Sequence, residues 1–212
     1  MALDPIPLFG LGNFGKSRNV SSQKRTNLYA EIQRDGEKGT LTLYPTPGLL
    51  TFLNFGAYPA RGTHRKGDFL FVVNHTTLWR VANDGTATNL GTLLTASGRV
   101  DIADNGTQII VVDGPNGYIY DTVALTFAQI TSPDFPGATT VGFLNGYFIV
   151  TKPNSGRFYF SGLYDGTSWS SLDFATAESN PDDLVRVMPD NGQIVLLGPD
   201  TTEFWSDSGA ID

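Results

Sequence analysis

A glycine followed by a short apolar run recurs four times along the chain, and this repeat constrains the fold more than any other feature. The glycines are Gly67, Gly106, Gly146 and Gly192, and an aromatic residue stands twelve positions after each of them. Successive glycines lie 39, 40 and 46 residues apart. Propeller blades of four strands repeat with a period of about 40 to 50 residues. The repeat therefore predicts an all-β fold, a β-propeller or partial propeller of about four antiparallel four-stranded blades.

The third copy of the repeat shows why these segments are predicted to be hairpins. Asn145-Gly146 tolerates positive φ at both central positions of a tight turn, which is a strong short-range hairpin signal. The run that follows, residues 147–150, is apolar without alternation, as expected for a strand covered on both faces. We therefore expect the aromatic side chains of these hairpins and of the next strand to form the blade core. They are Trp79, Tyr118, Phe158, Trp169 and Phe204.

The repeat also divides the chain into predicted regions. Residues 1–38 are expected to be an extended N-terminal arm, and residues 39–212 are expected to hold the blades, at 60–92, 98–131, 138–175 and 183–212. The last blade lacks its outer strand. Because an open strand edge is an aggregation hazard, we expect something to complete it. The candidates are the strand predicted at residues 40–44, a continuation of a longer propeller, or a second chain. If residues 40–44 of this chain complete the fourth blade, the residues that meet there are predicted to be Thr40, Leu41, Thr42, Leu43, Tyr44, Thr202, Phe204 and Ser206.

Charge is distributed unevenly along the sequence. The net charge is −7, but residues 1–25 carry Lys16, Arg18, Lys24 and Arg25 against one acid, Asp4. The arm is thus basic, and it is interpreted either as a solvated segment or as a segment that docks on an acidic partner. The rest of the chain carries −10, and because an acidic body repels the phosphate backbone, sequence-specific binding of nucleic acid is not expected.

The composition argues against several kinds of chemistry. The chain has no cysteine, so disulfides, thiolate metal sites and a cysteine nucleophile are excluded. Only two histidines occur, His64 and His75, without carboxylates at metal-ligand spacing, so we expect neither a metal site nor a cofactor. No run approaches the roughly 20 apolar residues of a membrane span, and no secretion signal is recognisable. A soluble, non-secreted protein without membrane contact is expected.

Two short acidic patterns have structural interpretations. Asp101, Asp104 and Asn105 resemble half of a calcium loop, but the full spacing is absent, and we interpret them as turn residues. Residues 164–169 (YDGTSW) resemble a degenerate Asp-box, the turn between the third and fourth strands of sialidase-type blades. In that family the aspartate caps the turn and the tryptophan packs beneath it. The resemblance therefore supports a propeller fold and says little about sialidase activity.

Several segments together resemble the packaged-DNA stabilisation, or tail-hub, proteins of short-tailed bacteriophages, in their N-terminal half. They are residues 25–29 (RTNLY), 44–48 (YPTPG), 97–100 (SGRV), 158–161 (FYFS), 170–174 (SSLDF), 177–183 (AESNPDD) and 198–206 (GPDTTEFWS). The resemblance implies a β-propeller with a structural role and no catalysis. It implies a homo-oligomeric ring, hexameric in the family, beneath the portal and adaptor. The ring would close the filled head and form part of the conduit for DNA ejection. The implied location is the virion tail, after synthesis in the host cytoplasm.

The alternative is a glycan-binding or sialidase-like glycosidase propeller. Such an enzyme needs two carboxylates about 5 to 10 Å apart in one pocket. Asp182 and Asp183 are candidates, but they are adjacent in a predicted loop, where a solvated turn is the ordinary interpretation. The basic arm residues Lys16, Arg18, Lys24 and Arg25 remain the predicted partner contacts.

Overall fold

A computed structural model describes residues 27–32, 41–177 and 182–206 of the chain. The described residues form β-strands and no helix, as predicted, and they hold no helix long and apolar enough to cross a membrane. The chain divides into two compact units, residues 1–52 and 53–212.

The described residues of the first unit include an antiparallel hairpin. Strand β1 (Leu28–Ile32) pairs with β2 (Leu41–Pro45), and the rings of Tyr29 and Tyr44 stack with centroids 5.4 Å apart. The strand predicted at residues 40–44 is thus present as β2, with Thr40 outside the described residues, and its sheet partner here is β1. Closure of the fourth blade by residues 40–44 stays a prediction. The predicted limit between arm and blades, at residue 39, lies inside this first unit.

The described residues of the second unit form four antiparallel sheets that follow one another along the chain. In each sheet the strands are hydrogen-bonded in sequence order, and the first three sheets have four strands each, so the predicted all-β propeller architecture is confirmed. The first sheet comprises β3 (Ala60–Lys66), β4 (Phe69–Asn74), β5 (Thr77–Val81) and β6 (Ala87–Thr92); the second comprises β7 (Asp101–Asp104), β8 (Gln108–Val112), β9 (Gly117–Asp121) and β10 (Thr126–Gln129); the third comprises β11 (Val141–Leu144), β12 (Tyr147–Thr151), β13 (Arg157–Gly162) and β14 (Asp165–Thr176); the fourth comprises β15 (Arg186–Asp190), β16 (Gln193–Leu197) and β17 (Thr202–Ser206).

The tight turns use backbone conformations that asparagine and glycine tolerate. Asn145 and Gly146, between β11 and β12, have φ of 50° and 92°. Asn191 and Gly192, between β15 and β16, have φ of 47° and 78°. Positive φ at both central positions matches the twist of the flanking strands. These two hairpins therefore have the conformation that their Asn-Gly pairs predict.

The described residues form three apolar clusters, one at each junction between successive sheets. The second strand of each sheet contributes to them most; Ile109, Ile110, Val111 and Val112 of β8, for example, are completely buried. Neighbouring residues of β8 point to opposite faces, so the strand packs against the first sheet and the third at once. This arrangement explains the apolar runs without alternation. The first strands β3, β7, β11 and β15 lie next to one another in chain order.

The predicted core aromatics differ in burial. Tyr118, Phe158 and Trp169 are buried, and Trp79 is half-buried against the ring of Phe55, with centroids 5.4 Å apart. Phe204 is 67% exposed, so the prediction that it belongs to the core is wrong.

The sheet faces explain why Phe204 is exposed. Phe158 of the third sheet lies on the face that packs against the fourth sheet. Phe204 pairs with Val195 on the face of the fourth sheet that points away from the third, next to Met188. No described sheet of the second unit covers that face. The residue of β17 that packs into the third cluster is instead its neighbour Trp205.

Candidate functional site

One polar network joins the first and second sheets around Arg61 of β3. Arg61 Nε donates to the carbonyl of Gly98 at 2.8 Å, and Nη1 donates to the carbonyls of His75 and Thr95 at 2.7 and 2.6 Å. Nη2 donates to Thr95 Oγ1 and to the carbonyl of Ser97, both at 2.7 Å. A single guanidinium therefore holds the segment that connects the two sheets.

Asp113 of the second sheet extends this network. Thr95 Oγ1 donates to Asp113 Oδ2 at 2.6 Å, and the hydroxyl of Tyr118 donates to the same oxygen at 3.1 Å. Burial lowers the pKa of Arg61, while the nearby Asp113 carboxylate acts in the opposite direction. Burial raises the pKa of the Tyr118 hydroxyl, and the Asp113 carboxylate adds to that shift. The network places a cation and an anion in the connection between two sheets, where both have hydrogen-bond partners.

Asp104 forms a second link between the same sheets. Its Oδ2 lies 2.7 Å from His64 Nε2, and its Oδ1 accepts hydrogen bonds from Lys66 Nζ at 2.8 Å and from the Gly106 backbone N–H at 3.0 Å. Partial burial acts to raise the pKa of Asp104, but the hydrogen bonds from Lys66, His64 and Gly106 outweigh it, so the pKa lies below its usual value. The carboxylate is therefore ionised in the neutral range and ties β3 to β7.

The residues that resembled a calcium loop serve turns and sheet contacts. Asn105 Oδ1 accepts from the backbone N–H groups of Thr107 and Gln108 at 3.1 and 2.7 Å. Asp101 Oδ2 accepts from the Val141 N–H at 3.1 Å, and Asp101 Oδ1 lies 4.0 Å from Arg186 Nη2. The part of the chain that the structure describes contains no group of three His, Asp or Glu side chains arranged to hold a metal ion.

The Asp-box segment has the local geometry that its resemblance implies. Asp165 Oδ1 accepts from the backbone N–H and hydroxyl of Thr167 at 2.9 and 2.7 Å. Trp169 is buried and donates from Nε1 to the Gly166 carbonyl at 2.8 Å. Burial acts to raise the pKa of Asp165, and the hydrogen bonds with Thr167 and Gln108 lower it further than burial raises it. The aspartate caps the turn, and the tryptophan packs into the apolar cluster at the junction between the second and third sheets.

Asp182 connects two of the segments that carry the phage resemblance. Its carboxylate accepts from the hydroxyl and N–H of Thr201 at 3.0 and 3.2 Å, and from the N–H of Asp200 at 3.3 Å. Desolvation acts to raise the pKa of Asp182, but these hydrogen bonds lower it overall. A Cβ at Gly198 would lie 2.2 Å from Asp182 Oδ2, so glycine is needed for this close approach. Asp182 thus anchors the turn before β17.

The end of the fourth sheet presents a strand edge and a cleft. β17 is the edge strand of this sheet among the described strands. Beside it, a cleft of about 260 Å³ opens between the third and fourth sheets. Its walls are mainly apolar and aromatic: Leu144, Asn145, Tyr147, Ile149, Phe160, Ile194, Trp205 and Ser206. This cleft is one candidate binding surface among the described residues of the second unit.

Some predicted site residues cannot be placed on these surfaces. Lys16, Arg18, Lys24, Arg25 and Thr40 lie outside the described residues. Thr202, Phe204 and Ser206 are on the edge strand β17, and Leu41 to Tyr44 are in β2. Arg61 was not predicted, because most of its acceptors are backbone carbonyls, which leave no pattern in the sequence; the one available signal was the family-like segment 97–100 that it holds.

Comparison with known proteins places this architecture in one family. The chain matches, over residues 5–212, the family model described as bacteriophage P22 Gp10, beta-propeller. None of the curated proteins compared with the chain matches it.

Solved structures show the same fold at low sequence identity. YCF48 bound to D1 peptide superposes with a TM-score of 0.55 at 12% identity, over 88% of this chain and 62% of YCF48. The computationally designed Ika4 protein gives 0.54 at 6% identity, over 75% of this chain and 99% of Ika4. BamB from Moraxella catarrhalis gives 0.52 at 11% identity, over 68% of this chain and 42% of BamB. The chain therefore spans less than two thirds of the natural propellers YCF48 and BamB. These likenesses concern the fold alone.

Proposed function

The chain belongs to the bacteriophage P22 Gp10 β-propeller family of packaged-DNA stabilisation proteins, and from this premise we propose that it closes the DNA-filled head of a phage as part of the tail hub. The family is one of structural phage proteins, which makes the chain a virion component. In the proposed role, copies of the chain assemble beneath the portal and adaptor and form part of the conduit through which DNA is ejected. The chain acts by assembly.

The family match over residues 5–212 is the observation that carries this proposal. The polar contacts of the described residues are in keeping with it. Asp104 links two sheets, Asp113 supports the Arg61 network, and Asp165 and Asp182 cap turns. These carboxylates are engaged in holding blades and turns in place, as suits a protein that must remain rigid under the pressure of packaged DNA.

The charge of the chain suits a wall along which DNA moves. Residues 26–212 carry a net charge of −10. Lysine and arginine contacts to phosphates release counterions and supply most of the non-specific affinity for duplex DNA. A predominantly acidic surface lacks that attraction, so DNA can pass it without being retained.

Assembly requires surfaces that recognise neighbouring subunits. We place the neighbours' contacts on the basic N-terminal residues Lys16, Arg18, Lys24 and Arg25, whose charge is opposite to that of the body. By family resemblance the assembly is a ring of six copies, bound to portal and adaptor subunits. Electrostatic complementarity of this kind raises association rates and fixes register.

A nonsense mutation in the phage gene that encodes this chain tests the proposal. Without the chain, heads should package DNA at the normal rate but lose it after the packaging motor leaves, so purified particles should be mostly empty and non-infectious. Supplying the chain from a plasmid should restore filled particles. DNA content is measured by density-gradient sedimentation and by nuclease protection.

The result that contradicts the proposal is a mutant lysate with a normal yield of DNA-filled, infectious particles. A plasmid copy with Lys16, Arg18, Lys24 and Arg25 changed to glutamate provides a second test. If these residues contact neighbouring subunits, this variant should accumulate as folded protein and fail to restore filled particles. Full restoration would exclude them as partner contacts.

A further inference from the structure

A pocket of about 540 Å³ lies at one end of the first sheet, on the side where β3 begins. It is bounded by the start of β3, by the turn between β4 and β5, and by the connection from the first sheet to the second. All of its described lining residues belong to the second unit. Pockets that hold small molecules commonly measure roughly 300 to 1,000 Å³, so this pocket has room for a small ligand.

Polar side chains hold the three walls of the pocket in place. Arg61 donates to the His75 carbonyl and to three carbonyls of residues 95–98, so one side chain fixes two of the walls. The buried side chain of Asn74 donates to the Tyr58 carbonyl and fixes the third. A site whose walls are fixed before binding loses less entropy when its ligand binds.

Tyr58 and His75 form an aromatic wall. Their rings stack with centroids 4.0 Å apart and an interplanar angle of 25°. His75 has a φ of 51°, which is uncommon for a residue other than glycine, and strained backbone of this kind clusters at functional sites. Tyr58 is 56% exposed, so its ring still offers surface to a ligand in the pocket. The C–H groups on the flat side of a sugar ring pack well against such an aromatic face.

The pocket also presents positive charge. Its described lining residues include Arg61 and Arg99 and no acid. All five donors of Arg61 are used within the protein. Arg99, in contrast, is exposed and has no hydrogen-bond or ion-pair partner among the described residues. A free guanidinium can bind a carboxylate through two parallel hydrogen bonds.

The backbone beside Arg99 supplies further donors. The N–H groups of residues 96–99 donate to no other group in the described part of the chain. Successive free N–H groups in a turn commonly bind anions. Residues 26–212 carry a net charge of −10, which repels polyanions such as nucleic acid. A ligand with a single negative charge is therefore favoured.

We propose that this pocket binds an acidic sugar, a pyranose ring that carries one carboxylate. The carboxylate accepts hydrogen bonds from Arg99 and from the N–H groups of residues 96–99, and the sugar ring packs on Tyr58. An acidic peptide side chain would meet the guanidinium but leave the exposed ring of Tyr58 uncovered. Hydrolysis is not expected, because a glycosidase needs two carboxylates beside the bound sugar and the described lining residues include none. This binding goes beyond the proposed function and does not depend on it, because it is measured on the purified chain.

NMR titration of the ¹⁵N-labelled full-length chain tests the ligand. The probe is methyl β-D-glucuronide, and the matched control at equal ionic strength is methyl β-D-glucoside, which has a hydroxymethyl group in place of the carboxylate. The glucuronide should shift the amide signals of residues 96–99 and bind at least about tenfold more tightly than the glucoside, because its hydrogen bonds with Arg99 are charge-assisted. Equal affinities, shifts confined to other parts of the chain, or no shifts would overturn the proposal.

Variants of the chain test the residues that hold the sugar. Arg99→Ala should weaken binding of the glucuronide at least about tenfold, and Arg99→Lys should weaken it less, because lysine keeps the charge but not the paired donors. Tyr58→Ala should weaken binding of both methyl glycosides. Arg65→Ala is the control, since it removes the same charge from the exposed far end of β3 and should leave the affinity unchanged. If Arg99→Ala or Tyr58→Ala binds the glucuronide as tightly as Arg65→Ala does, the assigned contacts are wrong.

Two other anions distinguish a sugar from a general anion. Acetylated tetraglutamate and inorganic phosphate, each at the same ionic strength, should bind more weakly than the glucuronide because neither has a ring to cover Tyr58. Binding of tetraglutamate as tight as that of the glucuronide would assign the pocket to an acidic peptide instead. Equally tight binding of phosphate would make it a general anion site, and either result refutes recognition of a sugar.

Discussion

Arg61→Ala should destabilise the second unit, because Arg61 of β3 holds the connection between the first two sheets. Arg61 donates five hydrogen bonds, of which the three to His75 and Thr95 are partly buried and the two to Gly98 and Ser97 are exposed. Water replaces the exposed bonds at little cost. The partly buried bonds contribute about 1 to 1.5 kcal/mol each, and release of the arginine side chain recovers about 2 kcal/mol of entropy.

The expected loss of unfolding free energy is therefore about 2 kcal/mol. It is measured by urea unfolding followed by tryptophan fluorescence, where a lower midpoint with an unchanged slope reports a loss of stability. Arg61→Lys keeps the charge but not the planar set of five donors, and it should lose about half as much.

Arg99→Ala is the matched control. Arg99 lies in the connection that Arg61 holds and is exposed, so its removal should change the unfolding free energy by less than about 0.5 kcal/mol. If Arg61→Ala costs no more than Arg99→Ala, the network around Arg61 does not hold the two sheets together, and the account of that junction is wrong.

Three further predictions concern charge and packing. Asp104→Asn should cost about 1 kcal/mol at neutral pH, because its hydrogen bonds with His64 and Lys66 are partly solvent-screened. Since folding lowers the pKa of Asp104, its contribution is present above the usual carboxyl pKa of about 3.9 and is lost as the pH falls through the folded-state value. The variant and the parent should thus converge in acid unfolding curves. Trp205→Ala should lower the thermal midpoint clearly, whereas Phe204→Ala should change it little, because only Trp205 packs into the third cluster. The purified chain should not bind duplex DNA tightly in a mobility-shift assay at physiological salt; tight binding would contradict the proposed conduit role.

Strand positions were predictable because each is marked by local chemistry. The Asn-Gly turns at 145–146 and 191–192 have the positive φ that their residues tolerate, and the apolar runs after them are strands. The extent of β14 was less predictable. The strand runs from Asp165 to Thr176 with irregular pairing to β13. The Asp-box pattern marks the start of this strand, but the irregularities depend on contacts with β13 that no local pattern specifies.

The side of the sheet to which a side chain points was harder to predict than the position of its strand in the sequence. The twelve-residue offset from glycine to aromatic is the same in all four repeats, yet Tyr118 points toward the preceding sheet and Phe158 toward the following one. The turn from β7 to β8 spans residues 105–107, whereas the turn from β11 to β12 spans 145–146. Because side chains alternate with a period of two, one extra turn residue reverses the face. Phe204 points toward the following side of its sheet, as Phe158 does, and contacts no other described sheet of the second unit.

The contacts between sheets were the least predictable. The interactions of Arg61, of Asp104 with His64 and Lys66, and of Asp182 with Thr201 join residues that are 14 to 40 positions apart. Turn chemistry predicted only their local part, such as the hydrogen bond from Gly106 to Asp104. The resemblance of segments along the whole chain predicted a structural role. The cleft beside Trp205 could not be predicted from the sequence, because it forms only where two sheets meet.

Electron cryo-microscopy of the phage particle that carries this chain shows whether the chain lies at the head–tail junction. If the chain is part of the tail hub, propeller density should form a ring directly beneath the portal and adaptor, lining the axial conduit, and the four sheets of residues 60–206 should fit into it. Absence of the chain from purified, DNA-filled virions, or its location away from the portal axis, would exclude the proposed role.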